Sequence, residues 1–431
     1  MRIEDHYGNP LTTGTGMARD FYDIAVRAFL GGNYGAVEAF GQAVDADPEF
    51  ALGYAGLARA RMMAGDMAAA RTALSAAEAA LAGASDRERS HVACLALMVE
   101  GRAAQARAAV KAHVQVWPCD AMVAQMCSNV FGLIGFSGEV GREANLLAYT
   151  ESLLPHYGDD WWMMSMHALS LCETGQTAAS IDLMERALGL NARNANGAHF
   201  LAHALYEEGR TAEGRAYLED WLPDYDRRSV LHGHLSWHAA LWALQDGDEA
   251  AMWTAVDAGV GPDTGHSLPI NVLTDTAAIC YRAQLAGLAV APERWAALSD
   301  YAAQYFPTTG QSFADMHAAL AHAMAGQGDR LAQIAESAQG FAGDLVQPVA
   351  RAWGAIARED WAGALRHLVP VLAESERIGG SRAQRDLLEF AHVNVLLRLG
   401  HRHEAERALA RRRPHLAQPV PVAGFAAQGA T

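Results

Sequence analysis

Residues 47–74, DPEFALGYAGLARARMMAGDMAAARTAL, decide the fold. An acidic residue and a proline open the stretch, at Asp47 and Pro48, and proline is tolerated where a helix starts because the first amides have no intrahelical partner. Apolar residues then recur at helical spacing as far as Met63. Gly65 interrupts them, and a second helical run begins near Met67. The alanines and glycines of both runs allow two helices joined in this way to pack closely. The stretch therefore reads as a helix, a glycine turn and a helix.

Outward from this unit the punctuation repeats, at Gly101, Gly175, Gly209, Gly247, Gly287, Gly326 and Gly400. Gly31 and Gly65 are 34 residues apart, as are Gly175 and Gly209, and the other intervals drift by a few residues. A period near 34 with a glycine turn inside each unit marks tetratricopeptide-type helix–turn–helix repeats. Alternating β-branched runs between Asn-Gly turns are lacking. The expected fold is all-α: a tetratricopeptide-like α-solenoid, a right-handed superhelix of about 11 helical hairpins that can close around an inner pocket.

The first helix of each hairpin is called A and the second B. The hairpins are expected at 14–31 with 33–46, 50–64 with 67–82, 86–100 with 102–116, and 120–135 with 139–154. Next come 159–175 with 176–189, 195–209 with 211–221, 229–247 with 248–258, and 268–287 with 293–306. The last are 311–327 with 330–339, 344–358 with 360–374, and 381–400 with 402–411. One repeat domain is thus expected over 1–410, followed by a proline- and alanine-rich tail over 411–431 that is poorly ordered or an extended strap.

Composition narrows the function. Lys and Arg number 33 against 49 Asp and Glu, a net charge of −16, which argues against nucleic acid or an anionic membrane as partner. The five cysteines show no CxxC spacing and read as reduced thiols. The start, MRIEDHYGNPL, has no apolar signal core, and no apolar run reaches the roughly 20 residues of a membrane helix. A soluble cytoplasmic protein is expected.

In such solenoids the A helices line the concave surface, so unusual polar residues there are informative. HFLAH places His199 and His203 on one helical face, and HGHLSWHAAL does the same for His234 and His238. His167, Asp275, Arg282, Asp315 and His317 follow the same rule on other A helices, and Gln384, Arg385 and Asp386 open the last one. Trp161, Trp162, Trp237 and Tyr281 belong to these helices and could wall an axial pocket. Each has a plainer reading. A histidine on an alanine-rich helix can be a satisfied packing residue, Asp275 can cap its helix, Arg282 can pair with an internal acid, and the tryptophans can be core. An HxxxH pair can chelate a divalent metal, with Asp275 or His238 as a third ligand, yet HEXXH and its built-in glutamate base are absent. GGSRAQRD can hold an anion at a helix start or simply cap with Ser381. No P-loop, dinucleotide fingerprint or GxSxG elbow occurs.

Several stretches together resemble the tetratricopeptide repeat protein 38 family: RERSHVACLALMVEG, HFLAH, HGHLSWHAAL, LTDTAAICYRAQLAG, FADMHAALA and GGSRAQRD, in that order between about Leu11 and Leu409. The resemblance implies the same all-helical fold. Carried over by position, it points to His199, His203, His234, Trp237, His238, Asp275, Arg282, Asp315, His317, Gln384, Arg385 and Asp386; at His167 the family's motif tolerates other residues. It implies no particular reaction. Ordinary repeats of this kind bind peptides through exposed Asn and Lys clamps, whereas His, Trp, Asp and Arg here favour a closed site for a small ligand.

Three functions follow as expectations. In the first, a His/Asp/Arg-lined pocket binds a small polar or anionic ligand, with His203 and His238 moving protons, Asp275 or Asp315 orienting them, and Arg282 and Arg385 holding oxygens. In the second, the chain is a non-catalytic scaffold for protein segments. In the third, it is a metal-dependent hydrolase with His199, His203, His234 and His238 as the metal-binding set. The sequence firmly implies no cofactor, though these residues could hold a divalent metal.

Overall fold

The structure is a computed structural model that describes residues 3–264, 267–412 and 422–423. The described residues form helices throughout, and their single β-type pairing is an isolated bridge between Glu4 and Pro10. Contacts divide the chain into two compact units. One comprises residues 1–137, 143–201 and 228–231, the other 138–142, 202–227 and 232–431.

The first unit contains α1 (Gly16–Leu30) with α2 (Ala36–Ala46), α3 (Ala51–Met63) with α4 (Met67–Ala79), and α5 (Asp86–Val99) with α6 (Ala103–Val116). Next are α7 (Ala121–Ala124), nearly all of α8 (Arg142–Tyr157), and α9 (Trp161–Glu173) with α10 (Thr177–Leu190). Helix α11 (Ala195–Glu207) begins in the first unit and ends in the second. The second unit continues with α12 (Thr211–Trp221), α13 (His232–Gln245), α14 (Glu249–Ala255), α15 (Pro269–Leu285) and α16 (Pro292–Tyr305). It ends with α17 (Ser312–Met324), α18 (Gly328–Ser337), α19 (Gly343–Ala357), α20 (Trp361–Leu372), α21 (Arg382–Arg398) and α22 (Arg402–Arg412). This is a tetratricopeptide-like helical-repeat fold.

Local chemistry explains the regularity. Asp66 accepts a hydrogen bond from the Ala69 amide at 3.0 Å and so starts α4. Asp160, Asp248 and Asp360 start α9, α14 and α20 in the same way, each satisfying an amide that the helix cannot. The glycines that punctuate the sequence from Gly65 to Gly400 all take positive φ, between 68° and 90°, which turns the chain from helix A into helix B. The hairpin of α19 and α20 lacks such a glycine: Glu359 takes φ 59° there, alone among the described non-glycine residues. Close packing of the hairpins is also visible, since a Cβ on Gly56 would lie 2.2 Å from the Phe40 ring. Helices α9, α15, α17 and α21 are buried along most of their length.

One expected helix is largely missing. In place of a helix over 120–135, α7 spans Ala121–Ala124, a 3-10 turn follows at Gln125–Cys127, and turns continue to Ser137. Asn129 Oδ1 accepts from the Phe131 amide at 2.9 Å, and the Leu133 amide reaches back to Met126 O at 2.8 Å. The asparagine side chain competes with helical pairing, and Gly132 and Gly135 permit the tight fold: a Cβ on Gly135 would sit 2.0 Å from Val130 O. Of the tail expected from Arg411, Arg411 and Arg412 still belong to α22. Val422 is buried and the Ala423 amide meets Leu285 O at 2.6 Å; the rest of the tail lies outside the described residues.

The first unit closes on its own beginning. Gly31 O accepts from the Ala195 amide at 2.8 Å, Asn33 Nδ2 donates to Arg193 O at 2.9 Å, and Asn196 Nδ2 donates to Leu30 O at 2.8 Å. The Tyr34 amide adds a bond to Ser229 Oγ at 3.0 Å. In the second unit, Arg142 Nε donates to Glu376 O at 2.5 Å and Nη2 to Gly380 O, while Arg377 Nε donates to Gly138 O at 3.0 Å. Among the described residues no helix is long and apolar enough to cross a membrane. None of the five cysteines forms a disulfide.

Candidate metal centre

The HxxxH spacings place side chains where the sequence suggests. In the second unit, His203 from α11 meets His234 and His238 from α13. The ring centroids are 4.6 Å apart for His203 and His238, 5.1 Å for His234 and His238, and 6.3 Å for His203 and His234. Each of the three offers a ring nitrogen within 4.8 Å of the others, and all are 1–2 % exposed. Alanines stand beside His203 at 202 and 204 and beside His238 at 239. His199 stands one turn before His203 on the same face of α11, also buried, in the part of the helix that belongs to the first unit.

Asp275 does not cap α15, which begins at Pro269. It lies two turns in, 1 % exposed, with Oδ2 2.6 Å from His234 Nδ1. A carboxylate at that distance takes the Nδ1 proton as a hydrogen bond and leaves Nε2 of His234 with its lone pair. Trp237 stacks on His234 at 5.2 Å with an interplanar angle of 13° and meets His238 edge-on at 5.0 Å. Trp242 approaches His238 from another side at 6.2 Å. Burial, then neighbouring His203, His234 and Arg282, hold the His238 imidazole well below its ordinary range. It is therefore neutral at physiological pH.

The other expected residues have local partners. Arg282 Nη2 donates to Ala383 O at 2.8 Å and its guanidinium lies 5.0 Å from the Phe390 ring centroid, tying α15 to α21. His317 Nδ1 donates to Phe313 O at 2.8 Å, and burial pushes its imidazole down to about 4. Asp315 accepts the Gly310 amide at 2.9 Å, and burial lifts its carboxyl to about 6. Gln384 closes a capping box with Ser381, which is the plainer reading of GGSRAQRD; Arg385 Nη1 donates to Gly380 O at 2.5 Å, and Asp386 is buried on the same helix. Beside Arg282 there is a cavity of about 10 Å³, the room of roughly one water, lined also by Tyr206, Leu244 and Phe390. His167 and Trp162 lie in the first unit. His167 Nδ1 is 3.1 Å from Thr150 Oγ1, and Trp162 packs edge-on against Tyr157 at 5.6 Å.

Sequence reasoning missed a buried charge cluster in the first unit. Asp120 accepts from Arg87 Nη1 at 2.6 Å and lies 3.0 Å from His91 Nδ1 and 3.3 Å from His113 Nε2. Burial opposes its charge, but His91, His113 and Arg87 together hold it well below the usual carboxylate range. Arg87 and His91 lie in RERSHVACLALMVEG, where the charged start RERSH ahead of an apolar run was the available signal.

No family model matches the chain. Among solved structures, the human IFIT1 dimer with m7Gppp-AAAA is 14 % identical over 93 % of this chain and 95 % of that one, with a TM-score of 0.45. Yeast Tom70 is 14 % identical over 94 % of this chain and 93 % of that one, with a TM-score of 0.34. The TPR domain of P58(IPK) is 13 % identical over 91 % of this chain and 98 % of that one, with a TM-score of 0.21. Likenesses at this level carry nothing about what this chain binds.

Proposed function

We propose that this tetratricopeptide-like protein, of the tetratricopeptide repeat protein 38 type, is a cytoplasmic metal-binding protein. His203, His234 and His238 hold one divalent transition-metal ion, and Asp275 orients His234. The observation that carries the reading is the convergence of three buried imidazoles within 4.8 Å, one already hydrogen-bonded through Nδ1 to a carboxylate. In a tetrahedral shell, zinc–nitrogen bonds of about 2.0–2.1 Å put two ligand nitrogens about 3.4 Å apart, so nitrogens now within 4.8 Å of one another would draw together by at most about 1.4 Å. Imidazole ligands and a borderline ion suit one another, and the carboxylate–histidine–metal relay is the usual outer support.

The acid–base reading is weaker on physical grounds. A proton-transfer residue works best with a pKa near the operating pH. His238 is held far below it, which suits a ligand better than a base. The position of Arg282 beside His238 supports an anion near the metal, and a hydrolytic role would use it to hold substrate oxygens.

The test is metal analysis of tag-free protein grown with zinc, alongside His203→Ala and His238→Ala. About one equivalent of metal is expected in the wild type and little in either variant, with helical circular dichroism unchanged. Wild-type protein that stays metal-free after loading with zinc, cobalt, nickel, copper, iron and manganese in turn would sink the proposal. Stoichiometric capture of one protein partner by such metal-free protein would then favour the scaffold reading.

A further inference from the structure

Arg59, in the first unit, has no part in the metal centre. It projects from α3 and is 5 % exposed. Its Nη2 donates to Gln125 Oε1 at 2.9 Å, and its guanidinium lies 5.4 Å from the centroid of the Phe29 ring. Nε is buried and makes no hydrogen bond. No carboxylate lies within ion-pair distance of it among the described residues, in contrast to Arg87, which has Asp120 at 2.6 Å. Among the described residues burial alone bears on its protonation and pulls the guanidinium down to about 10. It nonetheless remains charged at neutral pH, as guanidinium does.

A buried cation with an amide and an aromatic ring for company is costly unless an anion compensates it. We propose that Arg59 and Gln125 form a binding site for a monocarboxylate, with Arg59 supplying the charge and Gln125 holding the guanidinium in place. A single guanidinium neutralises one carboxylate. A phosphate dianion would leave a net negative charge in the same buried place, in a chain that already carries −16 and with no second cation beside Arg59 among the described residues. Bonds from the free N–H groups to carboxylate oxygens are the charge-assisted kind, stronger than the neutral hydrogen bond that Gln125 provides.

Thermal unfolding of the full chain separates this site from a merely structural arginine. Wild type, Arg59→Met and Arg59→Lys are melted in sodium chloride, acetate and phosphate at equal ionic strength and pH. Acetate at tens of millimolar is expected to raise the wild-type midpoint by about 2 °C or more over chloride. Arg59→Met should melt above wild type in chloride, because it removes an uncompensated charge while keeping the bulk, and it should ignore acetate. Arg59→Lys should keep part of the response. An absent acetate response in the wild type, an equal response in Arg59→Met, or Arg59→Met melting below wild type in chloride would each overturn the proposal. A phosphate effect larger than that of acetate would overturn its assignment to a carboxylate.

Discussion

Asp275 shows how one side chain sets the chemistry of another. Its Oδ2, 2.6 Å from His234 Nδ1, favours the tautomer that leaves Nε2 with its lone pair, as the proposed metal site requires. Asp275→Asn keeps an acceptor but removes the charge, and outer-partner losses of this kind usually weaken metal binding by about 10–100-fold. We expect that loss for zinc in competition with a chromophoric chelator; an unchanged affinity would show that Asp275 does not tune the site. The histidine pairs were legible in the sequence because i, i+4 spacing on a helix needs no tertiary knowledge. Arg59 and the cluster at Asp120 were not, since their partners come from other helices. Asp120 is 29 residues from His91 and 33 from Arg87, and Arg59 is 66 from Gln125. Periodicity marks which face of a helix is inward but not what it meets there.

Helices and turns were more legible than the contacts between them, because their causes are local. Aspartate at a helix start and glycine at the turn act within a few residues, and the hairpin boundaries follow them closely. The exception over 120–135 is instructive: the apolar pattern is helical, but Asn129, Gly132 and Gly135 build a turn that the pattern alone conceals. Glu359 is the reverse case, a residue without glycine's freedom in a glycine's position. Its φ of 59° lies in the left-handed region that costs an L-residue roughly 1 kcal/mol. Glu359→Gly should relieve that strain while adding chain entropy to the unfolded state, for a net gain of at most about 1 kcal/mol. Urea denaturation would read it as a higher midpoint at unchanged slope, and a lower midpoint would mean that the carboxylate contributes more than the strain costs.

Across the whole molecule, acid should act through two opposing sets of buried groups. Burial pushes His317 and His322 down to about 4, so each contributes stability above the ordinary histidine value near 6.5 that is lost as pH falls toward 4. Asp5 and Asp315, lifted by burial to about 6, work the other way: their protonation below pH 6 favours the folded chain. Comparing His322→Gln with wild type isolates one imidazole. His322 Nδ1 lies 2.7 Å from Ser299 Oγ, a contact that glutamine can approximate. The variant should lose less stability than wild type between pH 6.5 and 4, by at most about 3 kcal/mol in unfolding free energy. Parallel profiles would show that His322 titrates normally in the folded chain.

The contacts that join the first hairpin turn to residues 193–196 bear on how such a chain can change over generations. An open array tolerates duplication or deletion of a repeat, since each unit needs only its neighbours. Here an added or lost hairpin would carry Gly31 and Asn33 out of register with Arg193 and Ala195 and break several hydrogen bonds together. Divergence in this half of the molecule is therefore expected to proceed by substitution and by altered loop length, with the copy number of its hairpins held constant.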